Sequence, residues 1–258
     1  MTNNFQSPRQ SLFCDGGTTY LSLSDPGNGV ANYEPNADEA FSIAFWGTQQ
    51  SSQTANWAIS KHSGSSANDG WLFGFYSNNL CFAWYCEGST STNDLTAGTL
   101  KSTHRCDAYY GNAPSLYVVT YSGNSNHNGL KLYANGCLEV AYATSKTIGT
   151  TNNSTADVHI GKGQAPGTSA GGWKGTLSNV SFWSAELSSA EVGELYYGNN
   201  GSIGPGNLNH HSKAGNCIGW WLGGDPSDNT TTIQDRSGQN NDMTCNSVAA
   251  ADLLKTGP

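Results

Sequence analysis

The chain has 258 residues and a formal net charge of −8, with 11 lysines and arginines that nowhere form a run. Binding to a phosphate backbone needs clustered cations to displace counterions, so this composition excludes a nucleic-acid partner. Only 12% of residues are charged, but 8 Trp, 12 Tyr and 8 Phe supply large apolar side chains, which excludes a disordered chain and points to a packed core.

Residues 1–10 read as a polar arm outside that core. They hold no apolar run of the kind a secretory signal needs, and no stretch is long and apolar enough for a bilayer span. The expectation is a protein made in a cytoplasm, without membrane insertion. From residue 11 onward, short alternating apolar segments separated by Gly, Asn, Ser and Thr read as many strands joined by polar turns, the pattern of an all-β sandwich.

In chain order, residues 11–23 read as two short strands around Gly16 and Gly17. Phe41–Trp46 alternates well, and Trp57–Lys61, Gly70–Tyr76 and Leu80–Tyr85 follow as strands, with Asn78–Asn79 as the turn between the last two. Residues 87–113 are polar with little periodicity and read as a long loop or insert holding His104, Arg105 and Asp107. Ser115–Tyr121 is a strand. Leu130–Tyr142 is the strongest hairpin, because Asn135-Gly136 supplies both positive-φ positions of a type I′ turn. A short strand at Val158–Gly161 precedes the most informative stretch. There Val180 and Phe182 alternate with Asn179 and Ser181, and then the period changes. Ser188 and Glu191 form a capping box, Leu187 can staple onto Val192, Leu195 continues the apolar stripe, and Gly198 suits the C-terminal end of a helix.

This strand-then-helix unit resembles the closing motif of laminin-G-like and pentraxin-like domains of the concanavalin A-like lectin/glucanase group. The match runs through Gly175, Leu177, Val180, Phe182, Trp183, Leu187, Ser188, Glu191, Leu195 and Tyr196, with Asn179 where the family usually has Asp. The opening at residues 11–23, the Phe41–Trp46 strand and the Leu130–Gly136 hairpin are similar to the family's as well. Gly219-Trp-Trp and residues 233–244 resemble a unit that usually begins such domains, which implies one domain over 11–258, circularly permuted at 215–258. The resemblance implies a two-sheet antiparallel jelly-roll sandwich with one short helix after the closing strand.

Four kinds of chemistry each stand beside a plainer reading. The turn containing Asp235, Asn241 and Asp242 is oxygen-rich, as a hard cation requires. In the family such a turn meets the closing strand, which implies a structural calcium held with Asn179, at one charge fewer than usual; a solvated turn is the alternative. For hydrolysis, relatives that cleave β-glucans carry Glu-x-Asp-x-Glu, which is absent here, and the seven Glu residues never fall at i, i+2 or i+4. Without a Gly-x-Ser-x-Gly elbow either, the expectation is a non-enzymatic protein. His210–His211 reads as a solvated turn. The seven cysteines lack a Cys-x-x-Cys pair and read as reduced core residues, with a bridge among Cys81, Cys86 and Cys106 as the alternative. Aromatic faces stack on sugars, and Trp57, Trp84, Tyr109, Tyr110 and Trp173 are the candidate carbohydrate platform, whereas Trp46, Trp183 and Trp220 read as core.

Three functions remain in view. The order of motifs looks like that of laminin-G-type proteins of tailed phages, marine ones in particular. That implies a virion component, decorating a capsid or placed on a tail or fibre, assembled with other virion proteins as a homo-oligomer. A soluble carbohydrate-binding lectin module is the second reading, and a glycan-active hydrolase the third.

Overall fold

Strand β8 (Ser115–Tyr121) shows how the molecule is layered, because all seven of its residues are buried. Successive side chains of a strand point to opposite faces. Tyr117, Val119 and Tyr121 enter one apolar cluster, and Leu116 and Val118 enter another. The strand therefore has a hydrophobic layer on each side. β3 (Phe41–Gln49) repeats the pattern, with Phe41, Ile43 and Phe45 on one side and Ala44 and Trp46 on the other.

The computed structural model describes residues 10–25, 33–50, 55–63, 70–76, 79–85, 100–105, 114–139, 141–143, 148, 155–163, 171–198 and 203–255. They form two antiparallel sheets. The remaining strands are β1 (Gln10–Asp15), β2 (Tyr20–Leu23), β4 (Ala55–Lys61), β5 (Trp71–Tyr76), β6 (Asn79–Trp84), β7 (Leu100–Arg105), β9 (Leu130–Ala134), β10 (Cys137–Leu138), β11 (Ala141–Ala143), β12 (Val158–Ile160), β13 (Lys174–Trp183), β14 (Cys217–Trp221), β15 (Thr232–Ile233), β16 (Met243–Asn246) and β17 (Leu253–Lys255). The first sheet runs β10-β9-β8-β3-β13-β1-β17, with β14 also on β13, and the second runs β11-β7-β6-β5-β4-β12-β2-β16-β15. The main core lies between them. A second apolar layer lies between the outer face of the first sheet and the helix α1 (Ser189–Tyr197), which buries Val192 and Leu195. Among the described residues, no helix is long and apolar enough to cross a membrane.

The helix starts where the sequence predicts. The Ser188 hydroxyl accepts from the Glu191 amide, the Glu191 carboxylate accepts from the Ser188 amide at 2.7 Å, and Leu187 is fully buried beneath the first turn. The Asn135-Gly136 turn is also as expected, with φ of 51° and 80°, but the hairpin is shorter than Leu130–Tyr142: only Cys137–Leu138 returns along β9, and Ala141–Ala143 crosses to the second sheet to pair with β7. Two further expectations are corrected. Residues 100–105, read as loop, form β7 between β6 and β11; this strand is held by its backbone ladder, a signal that apolar alternation does not carry. Asn79, read as a turn residue, is the first residue of β6 and pairs with Tyr76.

β13 organises the first sheet. Along one edge it pairs with β3; along the other, β1 takes its first half and β14 its second. The register against β3 shifts between Ser178 and Ser181, and Asn179 within the shift has φ of 46°. This left-handed conformation suits Asn better than most residues, and it marks a bulge that re-aims the strand. The Asn179 side-chain oxygen accepts a 2.6 Å hydrogen bond from the indole of Trp220 on β14. The last segment closes onto the first: β16 pairs with β2 and β17 with β1. At the end of β4, the fully buried Lys61 ammonium pairs with Asp25 at 2.8 Å and Glu34 at 3.5 Å, so the charge enters the core with its partners.

Asn179→Ala puts a Cβ-bearing residue without local hydrogen-bonding ability into the left-handed region and leaves a buried indole N–H without its acceptor. Urea denaturation is expected to show a loss of roughly 2–3 kcal/mol. Asn179→Gly, which relieves only the backbone, is expected to lose less.

Candidate functional site

The outer face of the second sheet carries a polar row. Ser60 of β4, His159 of β12, Ser22 of β2, Thr244 of β16 and Thr232 of β15 stand opposite one another across five strands. Residues paired across antiparallel strands share a face. Their chain neighbours Ile59, Val158, Ile160, Leu21, Met243 and Ile233 belong to the inter-sheet core, so the row points away from it. In the adjacent row, Tyr20 stands opposite Asn246.

These side chains form a cluster. The Tyr20 ring meets His159 edge-on, with centroids 5.4 Å apart. The Lys162 ammonium lies 4.2 Å from the centre of the Tyr20 ring, a cation–π contact. The Ser60 hydroxyl donates to the Lys162 carbonyl at 2.7 Å and fixes the turn that carries this ammonium. Asn246 Nδ2 donates to the Ser22 hydroxyl at 2.9 Å. His159 is only 7% exposed, and its Nδ1 has no protein hydrogen-bond partner. Buried polar atoms in folded proteins are nearly always paired; among the described residues this nitrogen shares its lack of a partner with atoms such as Asn56 Nδ2 and Trp84 Nε1, but it alone of these three lies in the polar cluster. Burial first, and then the nearby Lys162 charge, push the imidazole down to about 4, with Asp157 opposing the shift. The ring is therefore neutral at pH 7, with one nitrogen donating and one accepting.

Three of the residues anticipated as a carbohydrate platform lie elsewhere. Trp57, Trp84 and Trp173 are each at most 2% exposed and present no open ring face, so that expectation is corrected for all three. Trp57 stacks on Tyr76 and is covered by Gly163, where even a Cβ would fall 2.2 Å from the indole. Trp84 packs edge-on against Phe41 and Tyr121. Trp173 packs on Phe45 and donates to the carbonyls of Thr48 and Thr176. Tyr109 and Tyr110 lie outside the described residues, as does Asp107. Composition supplies the aromatics but not the side of the sheet they occupy. Sequence reasoning placed His159 in a strand without singling it out; the alternation Tyr20-Leu-Ser-Leu, Val158-His-Ile and Met243-Thr-Cys-Asn was the available signal.

The four anticipated calcium ligands do not fit a cation. Asp235 Oδ1 accepts from the amides of Trp220 and Ser237, and Oδ2 accepts from the Ser237 hydroxyl and the Asn241 amide. Asp242 accepts from the Asp235 amide at 2.8 Å, Asn241 donates to the Tyr33 hydroxyl at 2.9 Å, and the Asn179 oxygen is taken by Trp220. Calcium needs lone pairs converging on one point; here they are directed at N–H and O–H donors. His211, read as solvated, is buried instead. Its Nδ1 accepts from the Lys213 amide and its Nε2 donates to the Glu191 carbonyl, tying the following loop to α1. Cys14, Cys137, Cys217 and Cys245 carry free thiols, Cys81 is buried in β6, and Cys86 and Cys106 lie outside the described residues. Burial pushes the Cys217 thiol up to about 12, far from a nucleophile's range.

Residues 15–193 match the concanavalin A-like lectin/glucanases superfamily. The chain belongs to this family. Among curated proteins, none matches it in sequence. Among the solved structures that share its fold are the following two. One is a Bacteroides ovatus protein provisionally described as carbohydrate-binding, at 14% identity and a TM-score of 0.55, covering 95% of this chain. The match spans 62% of that protein's length. The other is the native heptameric SAP-like pentraxin of Limulus polyphemus, at 12% identity and a TM-score of 0.51, covering 95% of this chain and 97% of that one. The chain is thus a lectin-like sandwich.

A neutral buried His159 makes stability depend on pH. The unfolded imidazole binds a proton below its ordinary value of 6.5, whereas the folded one resists until about 4. Stability is full above that ordinary value, declines as pH falls between the two, and levels off below. The total loss is on the order of 3 kcal/mol. Urea denaturation across this window is expected to show the decline in the parent chain and its absence in His159→Gln.

Proposed function

We propose that the chain is a non-enzymatic glycan-binding module whose sugar site is the outer face of the second sheet at Tyr20, Ser22, His159, Lys162 and Asn246. The observation that carries this reading is the enclosed His159 Nδ1 without a protein partner, set among an aromatic ring, a hydroxyl, an amide and an ammonium. Sugar sites combine these groups, with polar contacts fixing orientation and an aromatic body excluding water. Membership of a lectin superfamily supports the reading, as does the fold shared with the B. ovatus protein. The non-enzymatic part is supported by the use of carboxylates as turn and cap acceptors at Asp15, Asp228, Asp235 and Glu191. Calorimetric titration with glycans selected on an array is expected to give millimolar to micromolar affinity, unchanged by a calcium chelator. Tyr20→Ala or His159→Phe, checked for folding by circular dichroism, is expected to weaken binding about tenfold or more. Binding unaffected by both changes would overturn the assignment, as would oligosaccharide release abolished by a single Asp or Glu substitution.

A second reading places this module in a virion, as a homo-oligomeric capsid decoration or tail component. The similarity of its motif order to laminin-G-type phage proteins supports it. So do Leu138 and Leu254, 58% and 41% exposed on opposite edge strands of the first sheet, where neighbouring subunits could cover them. Mass spectrometry of purified virions is expected to recover the chain at high copy number; its absence from them sinks this reading.

A further inference from the structure

Resting on that glycan-binding reading, we infer that the site takes an uncharged saccharide through adjacent hydroxyl groups and discriminates against carboxylated or sulfated sugars. The inference comes from which hydrogen-bonding positions the protein leaves open. Asn246 uses its Nδ2 twice, donating to the Ser22 hydroxyl at 2.9 Å and to the Thr244 carbonyl at 3.3 Å. A carbonyl only accepts, so the amide orientation is fixed and Asn246 Oδ1 is left as an acceptor. The Ser22 oxygen receives the Asn246 proton, which leaves its own O–H to donate. His159 adds one acceptor and one donor, because its ring is neutral.

The hydrogen-bonding positions without a protein partner are therefore mixed: acceptors at Asn246 Oδ1 and one imidazole nitrogen, donors at Ser22 and the other imidazole nitrogen, with Nδ1 itself enclosed. A sugar hydroxyl both donates and accepts, so neighbouring hydroxyls can satisfy either His159 tautomer and the Asn246 oxygen together. A carboxylate or sulfate only accepts. It would face the partly exposed Asn246 oxygen and the imidazole lone pair with no proton to offer, and an acceptor shut off from water by the ligand and left unmet is costly. Protonating His159 to suit an anion is opposed by burial and by Lys162.

The surrounding charge agrees. The Lys162 ammonium at the cluster is engaged with the Tyr20 ring. Asp157 acts on His159 from the same strand approach with opposite sign, and Lys61 at the end of β4 is paired with Asp25 and Glu34. The chain as a whole carries −8, a net charge that opposes the approach of an anion.

The test titrates the full chain at pH 7 with methyl glycosides of glucose, galactose and mannose, and separately with glucuronate and sialyllactose, following the His159 ring nitrogens by ¹⁵N NMR. Expected is binding of at least one neutral glycoside about tenfold or more tighter than either acidic probe, with a shift at the His159 nitrogens. His159→Phe is expected to remove it. His159→Gln, whose amide again offers one donor and one acceptor, is expected to restore part of it, which a purely structural role for His159 would not produce. Preference for an acidic probe, with the same loss in His159→Phe, overturns the inference and leaves the glycan-binding site standing. Glycan binding that ignores both variants, or no glycan binding at all, removes the site and the inference with it.

Discussion

The hydrogen bond from the Trp220 indole to Asn179 holds the position on which both sheets depend. β13 cannot serve β1 and β14 along one edge while staying in register with β3 along the other unless its course is adjusted between them. The left-handed residue at position 179 makes that adjustment, and the indole pins it. Once β14 is fixed there, the segment after it is directed across the rim. The Asp235 carboxylate gathers the turn by accepting from Trp220, Ser237 and Asn241, and β16 arrives beside β2. That arrival brings Asn246 and Thr244 to the face where Tyr20, Ser22 and His159 already stand.

The second sheet has an outer face of two characters. Around β4, β5 and β6 it is apolar and covered, with Trp57, Leu72, Cys81 and Ala83 in one cluster. Around β12, β2 and β16 it is hydroxyl- and amide-bearing, and exposure increases from Ser60 to Thr244. The boundary falls between Trp57 and Ser60, where β4 changes register against β5. One strand therefore supplies both the wall and the floor of the polar half.

Much of this was legible in the sequence, because local rules act where side chains alternate or caps repeat. Ser188 with Glu191 and Asn135 with Gly136 each name a backbone geometry almost alone, and the alternation around Val180 names a strand. What escaped was whatever depends on the far side of the molecule. A tryptophan reads the same whether its sheet face is open or covered, so Trp57, Trp84 and Trp173 passed for a platform. An Asp-x-Ser-Gly turn reads the same whether its oxygens converge on a cation or on the turn's own amides, since both arrangements call for carboxylate and glycine. His159 had no local mark; its importance lies in the strands on either side of it, more than a hundred residues away in one direction.

The pairing of Asn246 with Ser22 joins residues 224 positions apart. Closing so wide a span is entropically unfavourable until much of the intervening chain is already ordered, which places it late in folding and makes it slow. On the ribosome, β16, which carries Asn246, leaves the exit tunnel only after β2, β4 and β12 have been made. A chain that stops short of β16 can hold the helix, the first hairpins and most of the inner core, yet lack the Thr244 and Asn246 side of this face. The polar face is thus complete only once β16 has been made and has paired with β2.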